Sequence, residues 1–199
     1  MSEYVKFSCQ RVPGEINSFA ALAELNAYRS KLLELHVLGM DSNGTGFGNL
    51  SVRDGGTGNF YVTASGTGGK LELTPSDCAK VVACDFKANA VRFLGSSIPS
   101  SESLTHAAIY ASDPTAGAVI HFHDSSLWTA LLNQAPTTSE AAEYGTPELA
   151  HEIIALFKDG DAQNRKIVVL AGHESGLITF GKDLDEAFAV LIRERNAQI

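Results

Sequence analysis

The part of this chain that most restricts its fold is residues 49–95, where four short apolar runs follow one another: NLSVR (49–53), NFYVTA (59–64), AKVVACD (79–85) and AVRFLG (90–95). Each is rich in β-branched or aromatic residues, which favours strands. The connections 54–58 and 86–89 are too short for the crossover that parallel strands need, so the runs they join must pair antiparallel. Between the second and third runs lies TPSD (74–77), an N-cap threonine, a proline at the first helical position and a carboxylate three residues after the cap, which opens a short helix. Upstream, residues 16–38 carry apolar side chains at helical spacing, with Phe19, Leu22, Leu25, Leu32 and Leu35 on the inner side and Gly39 as the stop. Downstream the pattern predicts a helix over 102–112, a strand over 117–123, helices near 125–133 and 147–158, strands at 166–170 and 176–180, and a final helix from 183. The expected architecture is α/β, a mostly antiparallel sheet covered by helices.

No repeat, charge block or Pro-rich linker divides the 199 residues, so one domain over 1–199 is expected. With 44% hydrophobic and 19% charged residues and no run of ~18 apolar residues, the chain reads as an ordinary globular protein rather than a membrane-spanning one. The opening MSEYVKFSCQRVPGE lacks a basic stretch followed by an apolar one, so no secretory leader is expected and the cytoplasm is the expected location. Cys9, Cys78 and Cys84 match neither a zinc ribbon nor a CxxC pair and read as buried free thiols. A net charge of −8 argues against a nucleic-acid partner. A bound phosphate would therefore depend on backbone amides and hydroxyls.

Chemistry enters at GAVIHFHDS (117–125). On a strand, residues i and i+2 share a face, so His121 and His123 project one way while Phe122 faces the core. Two imidazoles so placed can reach one ion, or can be hydrogen-bonded histidines with no ion. A catalytic divalent metal takes three protein ligands and keeps one position open. His173, in LAGHESG after the apolar run KIVVL, sits at a strand end and is the candidate third ligand. His36, His106 and His151 lie in predicted helices and read as surface or packing residues. Ser100, Ser101 and Glu102 form a polar cluster at a helix start, where amides and hydroxyls suit an anion and a carboxylate can approach the same ion. The alternative is a serine N-cap followed by a first-turn acid.

Residues 44–69 hold nine of the 18 glycines. GTGFGNLSVR and TASGTGGK offer backbone amides, Asn49, Thr63, Ser65 and the cation of Lys70, which together could cradle a phosphate or could simply be hairpin turns. Neither matches a P-loop or a dinucleotide fingerprint, since neither links a parallel strand to a helix.

Taken together, GNLSVR (48–53), VTASG (62–66), PSSESLTHAAIY (99–110), DPTAGAVIHFH (113–123), YGTPELA (144–150) and AGHESGLITFGKDLDEAF (171–188) resemble the class II aldolase/adducin family. The resemblance implies an α/β/α layered domain with a central, mainly antiparallel sheet, a homo-oligomer, usually a tetramer, and a small sugar-phosphate-like substrate. It implies a divalent metal, zinc foremost with manganese or cobalt as alternatives, held by His121, His123 and His173. It assigns Glu102 as the catalytic glutamate, a metal ligand at rest and a base once substrate displaces it. Such a base works best with a pKa raised towards neutrality, which partial burial beside apolar residues favours and the charge of a metal opposes. Phosphate binding falls to Gly48, Asn49, Ser65, Gly66, Ser100 and Ser101.

The activity implied is a metal-dependent carbon–carbon lyase acting on a ketose phosphate or related hydroxy-carbonyl compound. Dehydration of the methylthioribulose-phosphate type, 4-epimerisation and an adducin-like assembly role without catalysis are the alternatives. The sequence ends at Ile199 without the tail tyrosine of the aldolase members, and the stretch before Tyr144 has no counterpart of their proton-donor tyrosine. The proton donor is thus unassigned by sequence.

Overall fold

A computed structural model describes residues 6–158 and 160–198; the N-terminal residues 1–5, on which the reading of a leader bears, lie outside the described residues. Strand β1 (Ser8–Arg11) precedes helix α1 (Leu22–Glu34), the short strands β2 (Gly39–Met40) and β3 (Gly46–Phe47), and the strands β4 (Asn49–Arg53) and β5 (Phe60–Thr63). A 3₁₀ turn (Pro75–Asp77) leads into β6 (Cys78–Asp85) and β7 (Ala90–Leu94). Helix α2 (Ser103–Ser112), strand β8 (Ala118–His123), and helices α3 (Ser125–Leu131), α4 (Pro147–Lys158) and α5 (Asp161–Arg165) follow. Strands β9 (Ile167–Val169) and β10 (Gly176–Gly181) and helix α6 (Leu184–Asn196) complete the order.

Among the described residues eight strands form one sheet in the order β1-β7-β6-β5-β4-β8-β10-β9, in which only β1 against β7 is parallel. Strand alternation divides the core in two. Val62, Val81, Val119 and Ile178 face α2, α4 and α5, while Leu50, Ile120, Phe122 and Leu177 face α1, α3 and α6. The α/β/α layering with a mainly antiparallel sheet follows. Central strand β8 is covered on both faces, which explains why its text is an unbroken apolar run up to the histidines.

Differences from the sequence reading have local causes. Helix α1 begins at Leu22 rather than residue 16 because Phe19 is held in a ring stack on Tyr61, centroids 4.1 Å apart, outside any helical register. It ends before Gly39. His36 takes the left-handed conformation (φ 58°), its N–H donates to the Leu33 carbonyl and that of Val37 to the Leu32 carbonyl, which closes the helix and buries Val37 and Leu38. TPSD folds as a single 3₁₀ turn in which the Thr74 N–H (3.0 Å) and hydroxyl (2.9 Å) both donate to Asp77 Oδ2. All three cysteines are free thiols, but only Cys78 is buried; Cys9, on the edge strand β1, and Cys84, near the end of β6, are half-buried. Strand β1, the β2–β3 pair and α5 are additions to the expected elements.

Candidate metal centre

Register places the site. In the β4–β8 ladder Asn49 stands opposite His121, and in the β10–β8 ladder Gly176 stands opposite His123. His121 and His123 share the face of Val119, on the α2 side of the sheet. His173 comes from the tight turn joining β9 to β10, closed by His173 N–H to the Leu170 carbonyl (3.1 Å) and Gly176 N–H to the His173 carbonyl (2.8 Å). One ligand atom from each of the three imidazoles lies within 4.8 Å of the other two. Glu102, at the start of α2 and almost fully buried, brings Oε1 to 3.5 Å from His173 Nδ1, while its Oε2 accepts from the Thr105 hydroxyl at 2.8 Å.

Four buried atoms converge here with no hydrogen-bond partner: His121 Nε2, His123 Nε2, His173 Nδ1 and Glu102 Oε1. Orphaned buried polar atoms are costly singly, and three nitrogens with one carboxylate oxygen are a donor set for one divalent cation. Electrostatics agree with that fit. Burial pushes the His123 imidazole down to about 4, with His173 adding to the fall and Glu102 opposing it, and holds His121 well below its ordinary value. Both rings are therefore neutral near pH 7 and keep a lone pair for a metal. Burial pushes the Glu102 carboxyl up, but His173, His121 and the Thr105 hydroxyl outweigh it and hold the group at about 2. The raised pKa expected of Glu102 is thus not found, because the imidazoles beside it favour the charged form.

The centre opens into a cavity of 610 Å³. Gly48, Asn49, Ser65, Gly66, Ser100 and Ser101 all line it, as do Glu102 and the three histidines. An isolated bridge between Ala64 and Pro99 joins the Gly-rich loop to the Ser100–Ser101 segment. Ser100 is not a helix cap: its Oγ accepts the Glu102 N–H at 3.3 Å, and Glu102 occupies the N-cap position of α2. The hydroxyls of Ser65 and Ser101 make no hydrogen bond among the described residues, and the Gly66 and Gly68 N–H groups reach no backbone acceptor there. Lys70 is not the phosphate cation that the sequence suggested. Its ammonium pairs with Asp77 Oδ1 at 2.5 Å and does not line the cavity.

Two side chains around the cavity, Arg29 and Tyr144, have no role in the sequence reading. Arg29 is fully buried and reaches inward from α1 to the carbonyls of Thr67, Gly68 and Lys70, pinning the loop that forms one cavity wall. Gly68 there runs so close to the Gly39 carbonyl that a Cβ would sit 2.2 Å from its oxygen. Tyr144 lies in the cavity with its ring 4.8 Å from that of His173 and the Lys6 ammonium 3.9 Å from its centroid on the ring face. His106 is a fully buried packing residue whose Nδ1 meets Ser51 Oγ at 2.6 Å, and that hydroxyl meets Tyr110 OH at 2.8 Å.

The family description "Class II Aldolase and Adducin N-terminal domain" matches residues 33–198, which include the whole donor set. The chain belongs to the class II aldolase and adducin family. No curated protein matches this sequence. Among solved structures, an L-fuculose 1-phosphate aldolase shares 26% identity, covering 92% of this chain and 85% of that one, with a TM-score of 0.68. A sugar-phosphate aldolase from Thermotoga maritima shares the fold at 19% identity (89% and 92% covered, TM-score 0.66). So does an L-fuculose-1-phosphate aldolase from Thermus thermophilus at 22% (89% and 90%, TM-score 0.59).

Proposed function

We propose that this class II aldolase family member is a metal-dependent carbon–carbon lyase acting on a small ketose phosphate, with zinc as the metal and a homotetramer as the working form. The observation that carries the reading is the convergence of four unpartnered donors, His121 Nε2, His123 Nε2, His173 Nδ1 and Glu102 Oε1, at the floor of a cavity of sugar-phosphate size. The likeness to an L-fuculose 1-phosphate aldolase supports the substrate class. An assembly module without catalysis has no need of such a donor set.

A divalent ion held by these donors would act as a Lewis acid on the carbonyl and adjacent hydroxyl oxygens of the substrate. The chain's own residues supply the rest. Gly48, Gly66, Ser65, Ser100 and Ser101 offer amides and hydroxyls to the phosphate, which fixes the sugar end without a lysine. Glu102, ionised and buried, is a ligand through Oε1 only at rest; once substrate oxygens replace it, Oε1 takes the hydroxyl proton as the carbon–carbon bond breaks, and the carbon left behind is reprotonated to release the second product. Tyr144, the tyrosine lining the cavity, is the candidate donor of that proton from its phenol. Phe47 and the Tyr144 ring line the cavity and give it an aromatic part of its wall.

The test is to incubate zinc-loaded protein with L-fuculose 1-phosphate and related ketose 1-phosphates and follow release of dihydroxyacetone phosphate. Release that disappears in Glu102→Gln is the expected result. Water elimination from a methylthioribulose-phosphate-type substrate, or epimerisation, without cleavage would replace the lyase reading with the dehydratase or epimerase one.

A further inference from the structure

Asn49 is grouped by family resemblance with the phosphate-binding residues, yet its surroundings are those of the metal. Gly48, in the left-handed conformation (φ 75°), approaches His121 so closely that a Cβ would lie 3.1 Å from the His121 carbonyl oxygen. That approach seats Asn49 directly across the ladder from His121, with both side chains on the α2 face of the sheet. The Asn49 side chain is buried, its Nδ2 lies 3.1 Å from His121 Nδ1, and its Oδ1 is buried with no donor.

As placed, the amide NH₂ donates to Nδ1, so a neutral imidazole must carry its proton on Nε2. That is the nitrogen without a partner, beside the other three donors, and a protonated Nε2 has no lone pair to give. Rotating the amide by half a turn exchanges two groups of nearly equal size. Oδ1 then accepts the Nδ1–H, the orphaned oxygen gains its donor, and Nε2 becomes the lone-pair nitrogen. The rotation exchanges an unpartnered oxygen for an unpartnered NH₂ at the same position, where an oxygen of a cavity ligand can accept from it, and it turns Nε2 from a donor with no acceptor into a lone pair aimed at the other three ligand atoms.

We propose that Asn49 is a positioning residue for the metal: its side-chain oxygen accepts the Nδ1–H of His121, fixing the tautomer and ring orientation that aim Nε2 at the ion. The inference rests on the metal-centre reading above and gives Asn49 a role distinct from holding phosphate. Metal-ligating histidines depend on such partners at the second nitrogen, and losing one costs about 10- to 100-fold in metal affinity.

The experiment measures zinc dissociation constants by competition with a chromophoric chelator on metal-stripped wild type, Asn49→Asp and Asn49→Leu, with thermal unfolding of each. Asn49→Asp keeps the acceptor and loses the donors, whereas Asn49→Leu keeps the volume and loses both. The expected result is zinc binding within a few-fold of wild type for Asn49→Asp and about 10- to 100-fold weaker for Asn49→Leu. Equal affinity of Asn49→Leu and wild type, or equal weakening of both variants, would overturn the proposal. Should Asn49→Leu fail to fold, long-range ¹⁵N–¹H correlation of the wild-type imidazoles decides. A proton on His121 Nδ1 supports the proposal and a proton on Nε2 overturns it. Wild type that binds no zinc would sink the metal-centre reading as a whole, whereas tight wild-type binding with an unaffected Asn49→Leu sinks only the role of Asn49.

Discussion

Lowering the pH should destabilise the protein through His106 by an amount that can be worked out. Its imidazole is fully buried, and burial pushes its pKa from 6.5 down to about 4, with only Glu102 pulling it back. The sign follows from which state holds the proton. Above 6.5 neither state is protonated at this site and the stability is fully present; as the pH falls, the unfolded chain takes a proton that the folded one refuses, and the loss is complete near the folded value. Between pH 7 and pH 5 the cost to the fold is about 2 kcal/mol. His106→Leu keeps the volume and cannot titrate. At pH 7 the variant should be less stable by about 1 kcal/mol for the lost bond to Ser51. At pH 5 wild type alone bears the protonation cost, so the variant should match or exceed it. Urea unfolding of both chelator-treated proteins at the two pH values measures the gap. A gap unchanged between pH 7 and pH 5 would refute the claim that His106 is buried neutral.

Glu102→Gln should retain part of the metal through the three imidazoles and lose turnover, checked by elemental analysis beside the cleavage assay; unchanged activity would remove Glu102 from the mechanism. Tyr144→Phe keeps the ring against His173 and removes only the phenol, so kcat should fall about 100-fold with KM and Tm little changed; wild-type kcat would take the proton-donor role away from it. Arg29→Met leaves three carbonyls of the 67–70 segment without their donor and should cost at least about 3 kcal/mol in urea unfolding. A loss below about 1 kcal/mol would show that the loop does not depend on that anchor.

Much of this was legible in the chain because period and punctuation carry it. Strands β4 to β7 announce themselves by apolar runs and short turns, and β8 by a two-residue spacing that puts His121 and His123 on one face. Glu102 and His173 were legible as polar residues at element ends. What the sequence hid depends on register and long-range contact. The stack of Phe19 on Tyr61 shortens α1, and β1 is an exposed edge strand of mixed polarity that pairs with a strand nearly eighty residues away. Arg29 looks like a surface residue of a helix until the loop carbonyls that surround it are placed. That Asn49 lies opposite His121, with its amide 3.1 Å from Nδ1, is likewise a matter of register between β4 and β8. Lys70 looked available for an anion because Asp77, seven positions on, gives no hint that the chain turns back to meet it.

The central claim is that His121, His123, His173 and Glu102 hold one metal ion. Its most direct test is metal per chain by elemental analysis of protein purified without a histidine tag or chelator, repeated after addition of zinc, manganese and cobalt, with His123→Ala alongside. Close to one divalent ion per wild-type chain and none in a folded His123→Ala is the expected result. Wild type that holds no metal even after add-back, or a variant that keeps its full complement, would contradict it.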